Sequence, residues 1–143
     1  MKDYTIYDSP LSGRYAARAM RELFGPKRKF STWRRIWLAI AESQSELGLS
    51  QVTPDALEQM RANLDNINFE VAEAREKEVR HDVMAHVHAF GIQAPAAAGV
   101  IHLGATSCDI TDNADLIIMR AALQLVRYGY IGRIAHYNLQ VLG

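Results

Sequence analysis

One cysteine, four prolines and no net charge are spread over 143 residues. Each scarcity removes a class of protein. Cys108 alone cannot close an intrachain disulfide, so the fold must be held by burial, which fits a reducing compartment. The expected location is therefore cytoplasmic. No run approaches the roughly 20 apolar residues of a membrane-spanning helix, and Met1-Lys2-Asp3-Tyr4 opens without the apolar core of a secretory signal. No membrane partner is expected. Lys+Arg and Asp+Glu balance at 16 each, so no overall field draws in nucleic acid. The basic cluster Lys27-Arg28-Lys29, with Arg34 and Arg35, reads as a solvated face or loop rim. What the chain does have is apolar content, 49% of its residues, enough for a globular domain with a real core.

The few prolines fall at breaks: Ser9-Pro10, Gly25-Pro26, Thr53-Pro54 and Pro95. Between them the pattern is helical. Residues 1–30 look irregular apart from a short helix from Ala16 to Phe24. Trp33, Ile36, Trp37, Ile40, Ala41 and Leu47 then share one face at 3.6-residue spacing. Ser31 or Thr32 is the expected cap, and Gly48 the left-handed stop. Thr53-Pro54-Asp55 has the form of a helix start, for a helix ending near Asn63. Asn66 or Asn68 would cap a charged, solvent-facing helix from Phe69 to about Val79. Asp82 then either caps a new helix, Val83 to Phe90, stopped by Gly91, or one helix runs straight through. Ile101-His102-Leu103 reads as extended. A long helix follows from about Ser107 to Val126, with Ile110, Ala114, Ile117, Ile118, Ala121 and Leu125 at helical spacing. The fold class is all-α.

Two segments carry chemistry. Arg80-His81-Asp82-Val83-Met84-Ala85-His86-Val87-His88 and His102-Leu103-Gly104-Ala105-Thr106-Ser107-Cys108-Asp109 hold four of the five histidines. These residue types bind anions and move protons near neutral pH. No metal site is expected. His86 and His88 point to nearly opposite sides of a helix, and His81 and His88 lie about 10 Å apart along its axis, unlike a helical zinc pair at i, i+4. Thr106 with Asp109 has the form of a capping box. The exposed amides of that helix start, beside the Thr106 and Ser107 hydroxyls, suit a phosphate or carboxylate; a well-capped helix with no ligand fits the same residues. His81 is the best catalytic-type group by chemistry, flanked by an anion-binding guanidinium and a carboxylate. His86 and His88 read as packing or supporting residues, and isolated His136 carries no argument. Cys108 has no paired base in the sequence and is not read as a nucleophile.

Four phrases occur in order: Ser12-Gly13-Arg14-Tyr15, Thr32-Trp33-Arg34-Arg35-Ile36-Trp37, Arg80-His81-Asp82-Val83-Met84-Ala85-His86 and Ile101-His102-Leu103-Gly104-Ala105-Thr106-Ser107. Over roughly residues 5 to 125 the chain resembles the N-terminal part of the adenylosuccinate lyases found in animals, members of the all-α fumarase/aspartase superfamily. The resemblance implies an N-terminal helical domain over residues 1–106 and the start of a central helical bundle over 107–143. It implies elimination of fumarate from a succinylated purine nucleotide, without metal or organic cofactor, in a homotetramer whose sites draw on several subunits. Arg14 and Tyr15 would contact the nucleotide phosphate. Arg80, His81 and Asp82 would line the substrate site, with His81 assisting acid–base work. Thr106 and Ser107 would hold an anionic part of the substrate, supported by His102. The later family histidine and the loop serine that complete proton transfer have no counterpart here. After about Leu125 the text departs from the family, and Gly129 and Gly132 are expected to interrupt the helix. The expectation is a truncated product, inactive alone. Another lyase of the superfamily, or a non-catalytic fragment that binds nucleotide or joins full-length subunits, are the alternatives.

Overall fold

The computed structural model describes residues 9–142, with side chains through residue 132. Residues 26–117 form one compact unit; residues 9–25 and those from 118 onward belong to a second. Among the described residues there is no strand, and the all-α class holds.

In the smaller unit, a single wide turn, Leu11–Tyr15, closes with the Ala16 N–H on the Leu11 carbonyl at 2.6 Å. Helix α1 follows, Arg18–Leu23, and neither element buries a residue.

Helix α2 opens the larger unit and runs Pro26–Glu46, starting five residues before the expected cap. Proline suits that first position because the missing N–H would have no intrahelical partner there. Ser31 and Thr32 are therefore buried interior residues, not caps. The Thr32 hydroxyl donates back to the Arg28 carbonyl at 2.8 Å, and the Ser31 hydroxyl donates to Asp65 at 2.5 Å. Gly48 ends the segment in the left-handed region, φ +88°, as its position predicts. Leu47, assigned to the apolar face, lies in the turn beyond the helix and is 81% exposed.

Helix α3, Pro54–Ala62, starts on Thr53, whose hydroxyl accepts the Ala56 N–H at 3.2 Å. Helix α4, Phe69–Val79, is capped by Asn68 through the Val71 N–H and buries only Ala72. Helix α5 runs Asp82–Gln93 and passes through Gly91, the expected stop. Gly91 instead lets α5 approach the next turn: an added Cβ would meet the Ala98 Cβ at 3.3 Å. A short tight helix at Pro95–Ala97 follows, and residues 98–104 continue as consecutive turns. The expected extended Ile101-His102-Leu103 is thus a turn, with Leu103 N–H bonded to the Val100 carbonyl at 3.2 Å.

Helix α6 begins at Ser107, where the sequence places it, and continues to Leu142. Gly129 and Gly132 do not interrupt it. Glycine costs about 1 kcal/mol each relative to alanine in a helix, which a helix of 36 residues absorbs through cooperative propagation. Its buried positions are Ile110, Ala114, Ile118 and Ala122, a four-residue repeat; Ile117 is exposed. The core of the larger unit is one cluster: Trp33, Trp37 and Ala41 of α2, Ala56 and Met60 of α3, Val83 and Phe90 of α5, Ile101, and Ile110 and Ala114 of α6.

One basic residue expected at the surface lies inside. Arg34 is 1% exposed, and its guanidinium donates to the carbonyls of Asn63 and Asn66 and to Gln93 Oε1. It also sits 4.4 Å over the Phe90 ring. Burial pulls its pKa down to about 10, against the partly compensating charge of Asp65. Arg34 is therefore an internal tie between α2, the α3–α4 loop and α5. Arg35, on the outer side, pairs with Asp65 at 2.9 Å.

Candidate functional site

The two chemistry-bearing segments meet at two helix starts. Arg80 closes α4 in the left-handed region, φ 53° and ψ 40°, and its N–H bonds the Glu76 carbonyl at 2.7 Å. His81 then adopts an extended backbone, φ −149°, and becomes the cap of α5. Of the two alternatives at this junction, a fresh helix is the one that forms, but the capping residue is His81 where Asp82 was expected. His81 Nδ1 accepts the Met84 N–H at 3.4 Å. Asp82 accepts the adjacent Val83 N–H at 2.7 Å and places its charge in the first turn, where the helix dipole favours it.

At the other start, Gly104 turns the chain with φ +71°. The Thr106 N–H donates to Asp109 Oδ2 at 2.8 Å, which is the reciprocal arm of a capping box. Ser107 opens α6, and its Oγ lies 3.3 Å from His81 Nε2. Residues 26 apart in sequence are thus in hydrogen-bond contact. The direction of that bond follows from the other ring nitrogen. Because Nδ1 accepts from Met84, the neutral imidazole carries its proton on Nε2 and donates to Ser107. The serine hydroxyl proton is then free to be donated onward. In this arrangement Ser107, held by His81, has a hydroxyl proton to offer an anionic ligand.

His102 is held from below. Its Nδ1 accepts the indole N–H of buried Trp37 at 3.0 Å, with the two rings nearly perpendicular at 88°. The neighbouring Leu103 carbonyl accepts from Gln44 at 2.8 Å. Two residues of α2 therefore fix the turn that carries His102. Burial lowers the His102 pKa; the Asp109 carboxylate opposes the shift and His81 adds to it.

The remaining histidines separate by environment. His86 is buried, stacked on Phe30 with centroids 3.6 Å apart and edge-on to Trp33 at 5.7 Å. Burial, helped by Arg34 and Lys29 against Asp82, pushes its pKa down to about 4. It is a packing residue. His88 is exposed and lines, with His81, Met84, Arg75, Val79 and Ile92, an open groove of about 670 Å³ between α4 and α5. Cys108 is exposed. His136 falls outside the described side chains.

Of the residues singled out in the sequence, Arg80, His81, Asp82, His102, Thr106 and Ser107 lie in the larger unit around the two helix starts. Arg14 and Tyr15 are exposed on the wide turn of the other unit. Trp37, expected only in the core, is also a polar partner of His102. The available signal is chemical: a buried indole N–H usually finds an acceptor.

No family model matches the chain. Individual proteins do. It is 50% identical over 145 residues to adenylosuccinate lyase of Saccharomyces cerevisiae, and 46% identical over 145 residues to that of Schizosaccharomyces pombe; each match covers 98% of this chain and 30% of the relative. The adenylosuccinate lyase of Schistosoma mansoni is 46% identical over 126 residues, covering 88% of this chain and 26% of the relative. Across nearly its whole length the chain is a homologue of the adenylosuccinate lyases, and it spans about 30% of the length of those it matches.

Proposed function

We propose that this stretch forms one wall of an adenylosuccinate lyase site, binding the anionic parts of a succinylated purine nucleotide. The reaction of such a site is the elimination of fumarate from adenylosuccinate, giving AMP, and from the succinylated aminoimidazole carboxamide ribotide. A base takes a proton from the carbon beside a carboxylate, the C–N bond breaks toward nitrogen, and an acid protonates that nitrogen. No cofactor enters this reading. The observation that carries it is the 3.3 Å approach of Ser107 Oγ to His81 Nε2, beside the open amides of α6. Thr106 and Ser107 hold a carboxylate, and His81 orients the Ser107 hydroxyl toward it. Arg80 adds a positive charge at the rim, Asp82 orients the α5 start, and His102 supports the pocket. The resemblance alone assigns the phosphate to Arg14 and Tyr15, which lie in the other unit. The principal acid and base come from outside this stretch, so the chain by itself binds without turnover.

Calorimetric titration with adenylosuccinate, AMP and fumarate tests the reading. Ser107→Ala is expected to weaken binding about tenfold, the worth of one charge-assisted hydrogen bond, and His81→Gln to weaken it less, through loss of the serine's orientation. Unchanged affinity in both variants refutes the assignment. Loss of adenylosuccinate absorbance on incubation with the chain alone refutes the division of labour.

A second reading concerns assembly. Met119, Leu123, Val126 and Tyr130 are all exposed on α6 at 4-3-4 spacing, the seam of a helix that packs against other helices. This supports association with further subunits, in a homotetramer. Native mass spectrometry of the chain mixed with a full-length relative would show mixed oligomers; their absence sinks this second reading.

A further inference from the structure

Trp37 and Trp33 lie four residues apart on α2, and both are buried. Their indole N–H groups have different fates. That of Trp33 has no partner among the described residues, whereas that of Trp37 donates to His102 Nδ1 at 3.0 Å. An indole nitrogen is only ever a donor. The ring nitrogen facing it must therefore be unprotonated. His102 is left with its single proton on Nε2, and a second proton on Nδ1 would set two N–H groups against each other.

His81 has the same arrangement by a different route, since its Nδ1 is taken by the Met84 N–H. Two histidines from different segments thus carry the same tautomer, one fixed by a backbone amide and one by a buried side chain. Neither Nδ1 is free to act as a base. The Nε2 of His81 is engaged by Ser107, whereas His102 is left as a neutral N–H donor, which recognises a hydrogen-bond acceptor without adding positive charge.

We propose that Trp37 is a positioning residue: its indole N–H locks His102 in the Nε2–H tautomer, so that His102 meets a carboxylate-bearing ligand as a neutral hydrogen-bond donor. The functional half of this statement rests on the site proposed above; the tautomer does not. Trp37 acts from behind the turn and touches no ligand. Its substitution should change what His102 presents without removing any ligand contact.

Long-range ¹⁵N NMR of the ring nitrogens of the unliganded chain reads the tautomer directly. Wild type is expected to show His102 with a protonated Nε2 and an unprotonated Nδ1 at pH 7.5. Trp37→Phe keeps an aromatic ring and removes the donor, so His102 should move to a mixture of tautomers. Fumarate and adenylosuccinate should then bind several-fold more weakly. Trp33→Phe is the matched control: it removes a buried indole from the same helix and should leave the His102 nitrogens unchanged. A wild-type spectrum showing protonated Nδ1, or a mixture, overturns the proposal before any variant is made. So does a Trp37→Phe spectrum identical to wild type. If the tautomer shifts as expected but neither ligand binds wild type, the site reading fails while the lock stands. If wild type binds, the tautomer shifts, and affinity stays unchanged in Trp37→Phe, the lock is real but does not serve recognition, and the functional half is overturned.

Discussion

Acid should unfold this protein through His86 before it disturbs the carboxylates. The imidazole is 4% exposed, stacked on Phe30, with its pKa pushed from the ordinary 6.5 to about 4. In the unfolded chain it takes a proton below about pH 6.5. In the folded chain it resists until about pH 4. The unfolded state therefore binds more protons throughout that interval, and stability falls as pH falls through it. The contribution is fully present above pH 6.5 and lost toward pH 4. At 1.36 kcal/mol per unit the whole shift corresponds to about 3 kcal/mol, of which roughly 2–3 kcal/mol is spent by pH 4.5. For a small domain that is a large share of total stability. Urea unfolding followed by tryptophan fluorescence at pH 7.5, 6.5, 5.5 and 4.5 measures it, because Trp33 and Trp37 are both buried. The comparison chain is His86→Phe, which keeps a flat ring against Phe30 and cannot titrate. His102 shifts in the same direction but is present in both chains and cancels. Asp65, held near 2 mainly by its hydrogen bonds from Arg35 and Ser31, loses its contribution only below the ordinary carboxylate range. Wild type should lose roughly 2–3 kcal/mol more than the variant between pH 7.5 and 4.5. Parallel pH profiles for the two chains would refute the reasoning.

Three further outcomes follow from single contacts. Arg34→Met should cost about 3 kcal/mol or more, because the Asn63 and Asn66 carbonyls and Gln93 lose their donor in a buried setting; a urea midpoint within error of wild type would contradict this. Thr53→Ala removes the acceptor of the Ala56 N–H and should cost about 1 kcal/mol, with amide exchange accelerated first in the opening turn of α3. Arg80→Gly relieves a left-handed backbone at φ 53° and should raise stability by up to about 1 kcal/mol, while weakening nucleotide binding in the same calorimetric assay. A variant that is both more stable and binds equally well would remove Arg80 from the site.

Local chemistry made much of this fold readable from sequence. Thr53, Asn68 and Gly48 each announce a helix boundary through a side chain or backbone preference that acts within four residues, and each does what its type suggests. Ser107 was legible as a start for the same reason. The misreadings share a different cause. Gly25-Pro26 reads equally as a break or as a helix beginning, and the outcome is a start. His81 caps α5 because Arg80 accepts a left-handed backbone, which no propensity scale favours for arginine. Arg34 is buried because partners 29, 32 and 59 residues away converge on it. The site divides along the same line. Its residues were found by type and by resemblance, but the Ser107–His81 approach and the Trp37–His102 bond join positions 26 and 65 apart and are properties of the packed unit.

The junction between α4 and α5 is a single left-handed residue followed by a single capping residue. It can absorb substitution far more readily than a change of length. Adding or removing one residue would turn α5 by about 100° about its axis, or displace the imidazole from its cap if α5 kept its place in the core. The first outcome would carry Val83 and Phe90 out of the core, and the second would carry His81 away from Ser107. Insertions and deletions in this protein should therefore be refused between residues 79 and 82. A tiled insertion library scored for folded chain and for ligand capture would show that gap as a sharp blank.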